Sequence, residues 1–311
     1  MAKKRNIKKA LVVGQSMAAE TLKRRQKAAI ARKKALAKSP TLETRSIVST
    51  TKGVSAKKPI AAVSAGVLIA EGDSWFDYPL HDVLSELEDL YGYDVESVAH
   101  KGDTVEDMAY ADGQLDSFAR RVEKTLRAGL KPKAILLSGG GNDVAGDEFA
   151  LLLNHATSSI SGLNQSIVAG VIDERAHDAY VTILSAITAL CKAQIGKAIP
   201  ILIHGYDYPV PDGRGYLGGW GPLPGPWLEP GFRRKGYGPM KDRIPLVVEL
   251  IDRFNTMLEG IPKSAPFSHV RYVDLRHTLS SGRNYRDWWA NELHPTLKGF
   301  KAVTAKFAAA I

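Results

Sequence analysis

The chain has 311 residues, 44% of them hydrophobic, a formal net charge of +9 and one cysteine, Cys191. That hydrophobic share excludes a wholly disordered chain, the lone cysteine excludes an internal disulfide framework, and no apolar run of about 18 residues is present to cross a membrane. The charge is uneven: residues 1–60 carry 17 Lys/Arg against Glu20 and Glu43, whereas residues 61–311 carry 25 basic and 31 acidic residues.

Residues 1–64 read as a basic tail and linker. Within them, residues 17–38 predict a basic helix, with Leu22, Ala29 and Leu36 seven apart among Lys23, Arg24, Arg25, Lys27, Arg32, Lys33 and Lys34. One thin stripe cannot hold a helix by itself, so the expectation is a solvated, mobile or partly helical segment. The sharper reading is a tail that grips nucleic acid, anionic lipid or an acidic partner. No aromatic residue lies in 1–60, which leaves base stacking unsupported. The apolar stretch Ala10–Gly14 is too short for a secretory signal of the usual kind, which needs about 7–15 residues. The expectation is therefore cytoplasmic by default, with non-classical export open.

From residue 65 strands and helices alternate. Val67–Ala70 predicts a strand that ends at Glu71-Gly72-Asp73-Ser74, and residues 79–91 a helix through Leu80, Val83, Leu84, Leu87 and Leu90. Strand candidates follow at 95–99, 134–137, 199–203 and 270–273, and helices at 114–129, 174–195, 241–259 and 295–310, with Pro295 in the last helix's first turn. Cys191 continues the apolar pattern of Ile183, Ile187 and Leu190, which predicts a buried thiol. Short apolar strands separated by helices predict an α/β fold of three layers, α/β/α, around a five-stranded, mostly parallel sheet. Ligands of such sheets bind beyond the carboxyl ends of the strands, where the Gly-, Asp-, Ser- and Asn-rich clusters fall.

Those clusters carry the chemistry. Ser74 stands where the first strand gives way to a loop, Gly102 follows the second, and Gly140-Gly141-Asn142-Asp143 follows the third. His294 sits in Asn291-Glu292-Leu293-His294-Pro295, ahead of the last helix. Asp73 reads as a brace for the serine turn, and Asp143 as the cap of the helix that follows it. Gly141, His204, Tyr206 and Tyr208 are candidate pocket residues. No metal-ligand spacing and no phosphate loop appear, so neither metal nor cofactor is expected.

In this order and on these strand ends, Gly72-Asp73-Ser74, Gly102, Gly140-x-Asn142-Asp143 and His294-Pro295 resemble the SGNH (GDSL-type) hydrolase family over residues 65–311. The resemblance implies the flavodoxin-like fold of that family and a serine-dependent carboxyl-ester hydrolase: an esterase, lipase or carbohydrate deacetylase. It implies Ser74 as nucleophile, His294 as general base, and an oxyanion hole of the Ser74 and Gly102 N–H groups with the Asn142 amide. One block departs from the family pattern, since Asn291 stands where an aspartate is usual. Asn291 or a backbone carbonyl would then orient His294, or Asp287 or Glu292 would substitute, or the enzyme would be weak or inactive. Asn291 is the preferred orienter.

The substrate expectation rests on residues 205–240, which hold 10 of the 28 glycines, 7 of the 16 prolines and seven aromatic residues. Such a segment predicts an irregular functional loop over the active edge, with rings suited to a sugar or an acyl chain and Arg214, Arg233, Arg234 and Lys235 suited to an anion. A second insertion is expected at 146–172, anchored by Leu151–Leu153. The rival class is a binding module whose basic tail grips an anionic surface and whose body is weakly active or inactive.

Overall fold

The computed structural model describes residues 2–37, 64–111, 113–218 and 223–311. In chain order these form α1 (Ala2–Ala37), β1 (Gly66–Glu71), α2 (Val83–Tyr91), β2 (Tyr93–Ser97), α3 (Val105–Tyr110) and α4 (Gln114–Arg127). There follow β3 (Ala134–Leu137), a small hairpin of β4 (Leu153–Asn154) and β5 (Gly162–Leu163), α5 (Gln165–Val168) and α6 (His177–Ile195). The chain ends with β6 (Ile201–His204), α7 (Glu229–Arg234), α8 (Met240–Gly260), β7 (Val270–Val273) and α9 (Leu297–Ala310).

The main sheet has five parallel strands in the order β2-β1-β3-β6-β7. Unbroken apolar runs suit strands covered on both faces, and Leu68–Ala70 and Ala134–Leu137 are fully buried. α2 packs against α9, while α3 and α4 pack against α6, so helices flank the sheet as an α/β fold requires. The winding reverses between β1 and β3. A crevice opens there beyond the strand ends, and both Ser74 and Asn142 emerge at that point.

Several boundaries differ from the sequence expectation. α2 begins at Val83, because the Asp82 side chain accepts from Ser85 N–H while Ser85 Oγ accepts from Asp82 N–H. Leu80 lies before that box at φ 75°, 89% exposed, and not on the core face. β2 lies two residues earlier than expected. The helical path into α6 starts at Gln165, passing through a π turn at Ala169–Ala176. In the last helix Thr296 is the N-cap, accepting from Gly299 N–H at 3.2 Å, so Pro295 falls outside the first turn. The described residues of 205–239 are irregular apart from a 3₁₀ turn and the six-residue α7. Cys191 is buried, and burial pushes its thiol up to about 12.

The N-terminal helix begins well before the expected residue 17. Residues 2–37 form one helix that lies along α6; residues 38–63 are outside the described residues. α1 docks through small groups: a Cβ at Gly14 would sit 3.1 Å from Thr182 Cα and 3.2 Å from Val181 O, and Thr21 is buried. Arg25 reaches α4, donating to the buried Glu123 carboxylate at 2.6 Å. Lys23, Arg24, Lys27 and Lys34 face outward. α1 thus covers the outer side of α6, whose apolar residues run round its whole circumference. No described helix is long and apolar enough to cross a membrane. Arg25→Ala leaves Glu123 only Arg127, 3.6 Å away. A charged hydrogen bond of this kind contributes about 2 kcal/mol, and urea denaturation should show a loss of that size with unchanged ester turnover by the folded fraction.

Candidate active site

The turn after β1 is built around two residues. A Cβ at Gly72 would lie 2.7 Å from Ser138 Cβ, so only glycine fits. Asp73 points inward and is buried, accepting from Trp75 N–H at 3.0 Å, the Ser138 hydroxyl at 2.7 Å and the Tyr206 hydroxyl. Gly141 N–H donates to Tyr206 Oη at 3.1 Å. One buried knot therefore ties the turns after β1 and β3 to the segment after β6, and it leaves Ser74 at the rim.

Ser74 Oγ lies 2.7 Å from His294 Nε2, and His294 Nδ1 lies 3.0 Å from Asn291 Oδ1. Asn291 Oδ1 also accepts the backbone N–H groups of Leu293 and His294, both at 2.9 Å. Those two donors establish that the carbonyl oxygen, not the amide nitrogen, faces the ring. An acceptor at that position requires the proton on Nδ1 and leaves the Nε2 lone pair toward Ser74. Asn291 Nδ2 donates to Tyr78 Oη at 3.1 Å, and the Tyr78 ring stacks on the imidazole with centroids 4.3 Å apart. His294 is 6% exposed, and burial pushes its pKa down to about 3. Among the described residues no carboxylate bonds to the ring.

Glu292 faces away from His294. Its buried carboxylate accepts the backbone N–H groups of Gly213 (2.9 Å), Trp227 (2.7 Å), Leu228 (2.7 Å) and Glu229 (3.0 Å). Burial raises its pKa, and those four donors pull the other way. Arg214 welds the same junction, donating to the carbonyls of Trp289 and Ala290, both at 3.0 Å. Asp287 bonds through its carbonyl to the Thr296 hydroxyl and makes no bond to His294.

Gly102 and Asn142 complete the rim. Ladder-like bonds continue past β2, Val98 N–H to Ala70 O and His100 N–H to Gly72 O, both at 2.9 Å. They carry Gly102 alongside Ser74, where its φ of 92° favours glycine. The Ser74 and Gly102 N–H groups have no backbone partner among the described residues. Asn142 Nδ2 donates one hydrogen to Asp103 O at 2.9 Å, which orients the amide. A cleft of about 400 Å³ is lined by Ser74, Gly102, Asn142 and His294, with Tyr78, Tyr216 and Trp227 among its walls. A separate apolar cavity lies on the other side of Ser74 and includes Tyr206 and Gly141.

Some expected pocket residues lie elsewhere. His204 is fully buried beneath Trp75, Phe76 and Phe307, with Nδ1 on Gly205 O at 2.7 Å, because its position in β6 points into a helix layer. Tyr208 turns outward to Asp252, 2.7 Å away. Asp143 caps the preceding helix α3, accepting from Val105 N–H at 2.9 Å; burial pushes its carboxyl up to about 6. Arg214 pairs with Asp212 and Arg233 with Glu229. Tyr78 and the bonding of Glu292 were not legible from spacing; the only signal was the aromatic run Trp75-Phe76-Asp77-Tyr78 beside the serine.

Residues 49–302 match the GDSL-like lipase/acylhydrolase family. The chain belongs to that family. As a GDSL-like acylhydrolase it is an enzyme that hydrolyses esters. No curated protein matches it by sequence. Similar solved structures include the lipase Lip_vut3 from goat rumen metagenome, 17% identical with a TM-score of 0.46, covering 79% of this chain and 97% of that one. A putative GDSL-like lipase from Parabacteroides merdae is 11% identical, with a TM-score of 0.43 and coverage of 79% and 95%. A catalytic mutant of Axe2, an acetylxylan esterase from Geobacillus stearothermophilus, is 16% identical, with a TM-score of 0.39 and coverage of 79% and 94%.

The four amide donors on Glu292 make a direct test of the loop's anchor. Glu292→Gln must turn an NH₂ group toward at least one of them. It should leave the far-UV circular dichroism unchanged and speed tryptic cleavage within 205–240 by about tenfold, the effect of losing one buried charged bond.

Proposed function

We propose that the chain hydrolyses carboxylic esters through an acyl-enzyme on Ser74, with His294 as general base and Asn291 as its orienting residue. The observation that carries this reading is the unbroken line Ser74 Oγ, His294 Nε2, His294 Nδ1 and Asn291 Oδ1, at 2.7 and 3.0 Å. In the first half-reaction Ser74 Oγ attacks the ester carbonyl carbon while Nε2 takes its proton. The carbonyl oxygen becomes an oxyanion facing the Ser74 and Gly102 N–H groups and the second hydrogen of Asn142 Nδ2. Collapse breaks the bond to the alkoxy oxygen, which takes the proton from Nε2 and leaves as the alcohol. Water then repeats the sequence on the acyl-enzyme, releasing the carboxylic acid and restoring the Ser74 hydroxyl.

Asn291 orients the ring but adds no charge, and in a serine-protease triad the corresponding change costs roughly 10⁴-fold. Tyr78 supplies a partial substitute. Its ring face lies over the imidazole, and a cation over an aromatic face gains about 0.5–2 kcal/mol when desolvated. That attraction exists only when the ring is protonated, so it favours the transition state over the resting enzyme. The aromatic walls of the cleft suit a ring-bearing leaving alcohol such as a sugar.

A fluorophosphonate probe should label the chain at Ser74, and Ser74→Ala should abolish labelling; a folded wild-type chain that takes no label would overturn the reading. His294 is active as a base when neutral. Because its folded pKa is depressed to about 3, kcat/KM should stay flat from about pH 8 down to about pH 5 and fall only as the pH approaches 3. Asn291→Asp places a carboxylate beside Nδ1 and should move that acid limb upward by about 1–3 pH units. A limb near pH 6.5 in the wild type would contradict the depressed pKa.

A further inference from the structure

Two separate spaces meet at Ser74, and the position of His294 distinguishes them. The proton held on Nε2 must reach the alkoxy oxygen, so the alcohol must lie in the space that His294 lines. That space is the aromatic cleft. The other space is lined by Ser74 and Asn142 but not by His294. It has a volume of about 40 Å³ and is walled by Phe149, Leu228, Val247, Leu250 and Ile251.

Of the polar groups on its wall, the Trp289 indole N–H has no partner among the described residues, while the carboxylates are satisfied. Asp73 and Tyr206 bond to each other, and the Asp207 carboxylate accepts N–H groups from Tyr208, His277 and Leu279. The wall is otherwise apolar, which suits a hydrocarbon guest. The cavity volume exceeds the 10–15 Å³ or so that a single water needs and is a tenth of the aromatic cleft's, which fits a short acyl group and no long one.

On the reading that Ser74 forms the acyl-enzyme, we propose that this cavity receives the acyl group and restricts the enzyme to esters of short, unbranched acids, from acetate to about butyrate. Long-chain acyl groups are excluded by the packed side chains of α8 and Phe149 rather than by any charge. Each methylene that enters should raise kcat/KM about fourfold until the cavity is full. Further carbons must displace wall residues, a strain worth a loss of tenfold or more.

The test is kcat/KM of the full-length chain on p-nitrophenyl esters of two to twelve carbons. The wild type should peak at about four carbons and fall at least tenfold by eight. Leu250→Ala should move the peak to longer chains, and Ala145→Leu should depress butyrate relative to acetate at least tenfold. The two variants act in opposite directions, so a folding defect in one does not mimic the result. A wild-type peak at eight carbons or beyond would overturn the proposal, as would profiles that neither variant shifts. Failure of the acyl-enzyme reading looks different: no ester is turned over and Ser74 takes no fluorophosphonate label.

Discussion

A single amide oxygen sets the geometry on which the active edge depends. Asn291 Oδ1 receives three hydrogens, two from the backbone of the turn it begins and one from the imidazole that ends it. The backbone bonds fix the turn, the turn places His294, and the acceptor decides which ring nitrogen bears the proton. A carboxylate would hold the same geometry but would also raise the basicity of the ring. With a neutral amide, the buried imidazole stays neutral and ready to accept, at the cost of less driving force for taking a proton. Tyr78 is joined to this arrangement twice, as hydrogen-bond acceptor from Asn291 and as a ring face over His294.

Around that centre, buried carboxylates act as scaffolding. Asp73 gathers three donors beneath the serine turn, Asp207 gathers backbone N–H groups from the segment after β7, and Glu292 gathers four from the aromatic loop. Each carboxylate is matched by donors that would otherwise be unpaired, which is the condition for keeping such groups inside. The groups left at the rim around Ser74 are uncharged: a hydroxyl, two peptide N–H groups, an amide and a neutral imidazole.

How much of this was legible in the sequence depended on the range of the interaction. β3 was legible to the residue, because a fully buried parallel strand is an apolar run with clear ends. The placing of Ser74, Gly102 and Asn142 after β1, β2 and β3, and of His294 ahead of the last helix, was equally legible, since topology carries them to one edge. α3 was missed although Thr104 and Asp107 form a capping box that the sequence displays; six residues are too few for periodicity to register. The helical character of residues 17–38 was legible in their basic pattern and thin apolar stripe, but the docking of α1 was not, since it rests on Gly14 and Thr21, small residues that let two backbones approach closely. The Tyr78 stack and the Glu292 bonds join residues far apart in sequence, and no local pattern announces them.

The anchoring of the aromatic loop has a consequence for inheritance and for engineering. Its base holds together because four amide hydrogens, from residues 213 and 227–229, converge on one carboxylate that belongs to a different segment, two residues before His294. The loop and the histidine turn therefore form one module. A recombinant that exchanged residues 205–240 alone would strand Glu292, a buried anion, without its donors. One that exchanged the turn alone would strand the donors. An exchange that keeps the anchor moves both segments together, or alters ring-bearing positions such as Tyr216 and leaves Glu292 with its donors.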